Sequence, residues 1–215
     1  MRLPKRENIS PTEIADPLKF YYSPGARAFY LKRLKRAAAL FPPDKLDRLL
    51  DIGCGSGIFL KELQTKCRSL HAIDVHRQMH LVKRMIVKEK IEANLAEASV
   101  LALPYVAEVF DGLVSLSVLE HVRDLNTAFE EIARVAKIKA LIVLGFPVKN
   151  RLTDLILKLA YLLLPKARLE EEHVSDEKEI LRAARGQFGD IEISHFPSFL
   201  PFPLSFYCLL KISKN

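Results

Sequence analysis

Residues 49–57 read Leu-Leu-Asp-Ile-Gly-Cys-Gly-Ser-Gly, and this stretch constrains the fold more tightly than any other. An apolar run meets an acid, then glycine at three alternate positions, then the apolar start of a helical segment. A strand that turns abruptly into a helix against a ligand needs residues with positive φ and no Cβ, and glycine meets both demands. A dinucleotide fingerprint reads G-x-G-x-x-G and sets a pyrophosphate on the helix N-terminus. Here Gly53, Gly55 and Gly57 read G-x-G-x-G, with Asp51 two residues upstream of the first. A carboxylate in that place repels a pyrophosphate and suits a ligand with an ammonium or sulfonium charge.

The rest of the chain alternates between strand-like and helix-like patterns. Strands are expected over 48–52, 70–74, 94–98, 110–115 and 138–145, with helices over 58–67, 76–89 and 124–136. Ahead of them, 16–39 reads as helical, broken at Pro24-Gly25, with helical composition over 26–40 and a stop at Pro42-Pro43. Strands alternating with helices imply an α/β fold, with a parallel sheet covered on both faces. Beyond Pro147 the pattern changes. Residues 151–164 form a very apolar helical run stopped by Pro165, and 175–187 read as a charged helix with Ser175 as N-cap. Two late strands are expected over 190–195 and 205–213, separated by an apolar, proline-broken stretch from Phe196. Asp74 closes the second strand 17 residues after Gly57, near the spacing at which an acid meets a ribose diol in this architecture.

Composition narrows the class. At 215 residues and 49% hydrophobic content, one globular domain is expected. The net charge of +7 sits almost wholly in residues 1–45, where ten Lys and Arg face four acids. Its densest part, Lys32-Arg33-Leu34-Lys35-Arg36, suits anionic lipid, nucleic acid or an acidic substrate, or else forms a solvated helix face. The first ten residues lack the apolar core of a signal peptide, no run reaches membrane-span length, and three scattered cysteines give neither a disulfide framework nor zinc spacing. A cytoplasmic setting fits. His76 and His80 have metal spacing but no third ligand, so no metal is expected.

With these motifs the chain resembles the class I S-adenosylmethionine (SAM)-dependent methyltransferases, and within them the small-molecule branch that includes the ubiquinone-biosynthesis enzymes. The resemblance runs from about Tyr21 to Pro147 and more loosely to the end. It implies a doubly wound, Rossmann-like, mostly parallel seven-stranded sheet with an antiparallel C-terminal hairpin and helices on both faces. It also implies one domain over 1–215: a basic helical segment or lid over 1–45, a cofactor core over 46–147, and substrate-side helices with the last two strands over 148–215. SAM would be the cofactor and S-adenosylhomocysteine (SAH) the product. Asp51, Gly53, Cys54, Gly55 and Gly57 would form the cofactor turn, with Cys54 a small filler. Asp74 would hold the ribose, Val75 and Met79 would flank the adenine, and Ser99, Val100 and Ser117 would complete the cofactor's surroundings.

One motif departs from the family. The acid that often precedes Leu-Pro-aromatic by four residues is replaced here by Ser99, so either Ser99 or Glu97 meets the adenine. For a general base the candidates are His121 and His173, with Tyr21 and Tyr22 in the N-terminal lid; Arg27 is either a partner for the cofactor carboxylate or a surface cation. His121 also reads as a residue that holds its loop. The loop after the fourth strand, Ser117-Val118-Leu119-Glu120, carries neither the Pro-Pro-aromatic of base N-methylation nor the cysteine of cytosine C5 chemistry, and no metal-binding acid cluster or arginine-methylating double-acid loop stands elsewhere. A small, hydrophobic methyl acceptor is therefore the leading expectation, with residues 152–164 and 196–206 as a cap, core packing or a dimer contact. The alternatives are an RNA or protein methyltransferase recruited by the basic segment, a non-catalytic binding module and, more distantly, a dehydrogenase.

Overall fold

The computed structural model describes residues 1–12, 16–150 and 174–215. Two helices, α1 (Leu18–Tyr22) and α2 (Pro24–Leu40), precede β1 (Leu46–Ile52). There follow α3 (Leu60–Leu63), β2 (Cys67–Asp74), α4 (Met79–Glu89), β3 (Asn94–Glu97), β4 (Phe110–Leu116), α5 (Leu125–Val135) and β5 (Ala136–Pro147). The last elements are α6 (Glu177–Phe188), β6 (Glu192–Phe196) and β7 (Tyr207–Ser213). The strands form one seven-stranded sheet in the order β3-β2-β1-β4-β5-β7-β6. The pairs from β3 to β5 are parallel, and β7 runs antiparallel to both β5 and β6. This is the expected fold.

Side chains alternate between the two faces of a strand, and the core divides accordingly. Leu50, Leu113, Ile142 and Leu210 face one cluster with α5 and α6; Leu49, Val114, Val143 and Leu209 face the other with α2, α3 and α4. Both layers are apolar because a parallel sheet is covered on both sides. The chain runs from β1 outward to β3 and then returns to lay β4 on the opposite side of β1. Such a reversal of strand order opens a crevice at the carboxyl ends of the strands, where ligands bind in open α/β sheets.

Local differences from the sequence expectations have local causes. The helix expected over 58–67 shrinks to Leu60–Leu63, because Cys67 is drawn into the sheet opposite Leu46. The helical stretch is broken at Ser23-Pro24 as expected, and Pro24 opens α2, since its missing N–H costs nothing at the first turn. Ser175 does not cap α6. Its hydroxyl donates to the Val122 carbonyl at 2.7 Å, and Asp176 caps the helix by accepting from the N–H groups of Lys178 and Glu179 in a capping box. The expected apolar helix over 151–164 and the candidate His173 lie outside the described residues. Among the described residues, no helix is long and apolar enough to cross a membrane.

Candidate active site

The glycine turn follows β1 at the crevice. Gly53, Gly55 and Gly57 all have positive φ, at 78°, 51° and 80°, but a side chain at each would meet something different. A Cβ on Gly53 would fall 2.1 Å from Cγ2 of Val118, in the loop after β4. One on Gly57 would press on Met85, Val82 and Leu60 at 2.6–3.1 Å. One on Gly55 would meet nothing within 4 Å. Gly53 and Gly57 are therefore fixed by close packing, and Gly55 by open space.

Four of the turn's amides are already committed. The N–H groups of Gly53 and Cys54 both donate to the Ile73 carbonyl, at 2.8 and 3.0 Å, and that of Gly57 donates to the Cys54 carbonyl at 2.8 Å. The Gly55 N–H donates to Asp74 Oδ2 at 2.7 Å. A pyrophosphate laid on the turn would find these four donors spent.

Two acids border the space instead. Asp51 is 4% exposed. Burial, with the neighbouring Asp74 carboxylate adding to it, pushes its carboxyl up to about 8. Asp74 also accepts from the His76 N–H at 3.2 Å, and each of its oxygens keeps acceptor capacity after one such bond. His76, which reads from sequence as half of an empty metal pair, is a support for the turn. It is buried, its Nδ1 accepts from the Gln78 N–H at 3.2 Å, and its Nε2 lies 2.9 Å from the Gly55 carbonyl oxygen. No His, Cys, Asp or Glu cluster able to hold a metal occurs among the described residues.

The other sequence candidates divide. Cys54 is buried, and burial, then Asp51 and Asp74, hold its thiol well above the usual range, so it is a filler and not a nucleophile. Val75 is 63% exposed beside Asp74, and Met79 is partly buried against the core. Val100 is buried within the apolar cluster on the α5 side, so its side chain packs there. Ser99 Oγ accepts from the Leu101 N–H at 3.1 Å; Glu97 is exposed, directly opposite Asp74 in the β2–β3 pairing. His121 is exposed in a short 3-10 turn, Leu119–His121. Arg27 is also exposed.

Sequence reasoning missed Arg33, which it grouped with a surface charge run. The run is not one patch. Lys32 and Arg36 lie over the Phe196 ring, Arg36 donates to the His195 carbonyl, and Arg33 turns inward. Its guanidinium reaches Tyr21, Tyr30, Tyr207 and Ser117 at the carboxyl end of β4. Ser117 itself has φ +59°. Charge alone held no signal for this; the tyrosines at 21 and 30, twelve and three residues before Arg33, are the only local hint.

Residues 50–144, from β1 to the middle of β5, match a domain family described as a methyltransferase domain. The chain is 33% identical over 103 residues to the demethylmenaquinone methyltransferase of Roseiflexus sp. (strain RS-1), covering 47% of this chain and 43% of that protein. The chain spans less than half the length of the curated relatives it matches. Two solved structures share the fold across nearly the whole chain. The N-methyltransferase NodS from Bradyrhizobium japonicum WM9, in complex with SAH, has a TM-score of 0.68 at 18% identity and covers 95% of each chain. The geranyl diphosphate C-methyltransferase from Streptomyces coelicolor A3(2) has a TM-score of 0.70 at 14% identity, covering 99% of this chain and 89% of that one. The chain thus carries the fold of these two methyltransferases. The residues present fit a cationic adenosyl group such as SAM: a Cβ on Gly55 would meet nothing within 4 Å, Asp51 is a buried carboxyl, and each Asp74 oxygen keeps acceptor capacity.

Proposed function

We propose that the chain is a SAM-dependent methyltransferase that acts on a small molecule. The observation that carries this reading is the open space over Gly55, with the acids Asp51 and Asp74 beside the turn and four of the turn's own amides spent. A positively charged adenosyl ligand suits such a place and a dinucleotide does not. When bound, SAM supplies a methyl group on a sulfonium, a good leaving group for in-line displacement. Asp51 offsets the ligand's positive charge, and its proton leaves as that charge arrives. Asp74 would accept from the ribose hydroxyls, Val75 and Met79 would flank the adenine, and Ser99 or Glu97 would meet its amino group. Val118 packs on Gly53 from the β4 side, and Ser117 beside it would complete the cofactor's surroundings.

The chain's main task is then to align the acceptor and exclude water, effects together worth roughly 7–11 kcal/mol. An acceptor with an O–H or N–H proton to lose needs a base. His121, just past the β4 loop, is the described candidate, and His173 is the other. The names of demethylmenaquinone and geranyl diphosphate methyltransferases support a small-molecule acceptor. Recruitment of RNA through residues 32–36 is disfavoured, since Arg33 and Arg36 are engaged within the fold. The test is transfer of a labelled methyl from SAM into a cell extract. Label in a small-molecule product supports the reading; label only in RNA or protein, or none, overturns it.

A further inference from the structure

Among the described residues, Arg33 is a charge without a carboxylate partner. Its Nε and Nη2 donate to the Tyr21 hydroxyl at 3.2 and 2.6 Å, and its Nη1 donates to Ser117 Oγ at 3.0 Å. The guanidinium carbon stands 4.7 Å from the Tyr30 ring centroid, 5.5 Å from that of Tyr21 and 5.6 Å from that of Tyr207. Ser117 Oγ and the Tyr207 hydroxyl share a hydrogen bond of 3.1 Å. The groups around this cation are phenols and a hydroxyl, and no carboxylate pairs with it among the described residues. Enclosing a cation without an anion is unfavourable, and ring faces offset only part of that cost. Of the five N–H donors on a guanidinium three are used, so Nη1 and Nη2 each keep one. The residue as a whole retains a partial opening to solvent.

Place adds meaning to charge. Ser117 adjoins Val118, which packs on Gly53. Arg33 therefore lies next to the cofactor turn, on the β4–β7 side, while Asp51 and Asp74 lie on the β1–β2 side. The crevice is polarised, with two acids where a cationic donor fits and one arginine across from them. Two parallel N–H donors match a carboxylate or phosphate. A single enclosed guanidinium ringed by aromatics fits one small anion on an apolar body, not a polyanion.

We propose that Arg33, with Ser117 and the rings of Tyr21, Tyr30 and Tyr207, docks an anionic group of the methyl acceptor, which makes the acceptor a carboxylate- or phosphate-bearing molecule with an apolar body. The inference rests on the methyltransferase reading and narrows its substrate class. The chain has no tryptophan and six tyrosines, three of which border Arg33, so tyrosine fluorescence reports on the site. The full chain saturated with SAH is titrated with benzoate, with phenyl phosphate and with uncharged benzamide. A saturable response to one of the anions and none to benzamide is expected. Arg33→Met should weaken the anion at least tenfold, Arg33→Lys should restore part of the loss, and SAH affinity should change less than threefold in both. No anion response in protein that binds SAH overturns the proposal. So does an Arg33→Met protein that loses SAH more than tenfold, because the anion is then the cofactor's own carboxylate. Failure of the unmodified chain to bind SAH overturns the methyltransferase reading itself. Should Arg33→Met fail to fold, the comparison of benzoate with benzamide on the unmodified chain decides.

Discussion

His76 steadies the cofactor turn from the side, with its Nε2 placed 2.9 Å from the Gly55 carbonyl oxygen. Because Nδ1 accepts from the Gln78 N–H, Nε2 carries the proton and donates. The ring thereby links the start of α4 to the middle of the turn. Replacing it with alanine removes a buried hydrogen bond worth about 1–2 kcal/mol. His76→Ala should weaken SAH roughly 5- to 30-fold by calorimetry. Unchanged affinity would mean that the turn holds its shape without the ring.

The three glycines should separate by experiment. Alanine at any of them forces a side chain into the left-handed region, at roughly 1–2 kcal/mol. Gly57→Ala adds overlap with Met85 and Val82, so its loss of stability should reach about 2–4 kcal/mol. Gly55→Ala meets no neighbour and should lose no more than the backbone cost, yet it should weaken SAH tenfold or more by filling the space reserved for the ligand. Denaturant unfolding and calorimetry on both variants check this. Equal affinity for SAH in Gly55→Ala and the unmodified chain would place the ligand elsewhere.

Asp51 makes stability depend on pH in a predictable sense. In the folded chain burial raises its carboxyl to about 8, whereas an unfolded aspartate titrates near 4. A raised carboxyl favours folding of the protonated form, so this group's penalty is absent below about pH 4, grows as pH rises and is complete above about 8. Asp51→Asn removes it. The variant should match the unmodified chain's Tm at pH 4 and exceed it at pH 8, by about 2–4 °C for each kcal/mol released. It should also bind SAM more weakly. SAM binding near pH 6.5, measured in buffers of different ionisation enthalpy, should release close to one proton from the unmodified chain and fewer from the variant. A variant less stable at pH 8 would contradict the assignment.

Asp74 holds the turn through Gly55 and keeps capacity for a diol. Asp74→Ala should weaken SAH roughly 10- to 150-fold, the worth of a charged acceptor. If the variant binds SAH as the unmodified chain does, the ribose lies elsewhere.

What the sequence made legible was what it encodes locally. The apolar run of β1, the glycine alternation and the acid closing β2 are short-range signals, and the structure makes of them a positive-φ turn after β1 whose Gly55 N–H is held by Asp74. What stayed hidden depends on partners far along the chain. Arg33 reads as one cation in a run of four until Ser117, 84 residues away, brings it to the edge of β4. Cys67 joins β2 because β1 needs a partner opposite Leu46, whatever its own helical surroundings suggest. His76 gains its role only once β2 delivers it beside Gly55. Val100 is the converse case: its position after β3 suggested the cofactor's rim, and packing turns its side chain into the core.

The most direct test of the account is a calorimetric titration of the unmodified chain with SAH and, separately, with NAD. The account predicts saturable one-to-one binding of SAH and no heat of binding with NAD. Binding of NAD in place of SAH, or of neither by a fully folded chain, would contradict it.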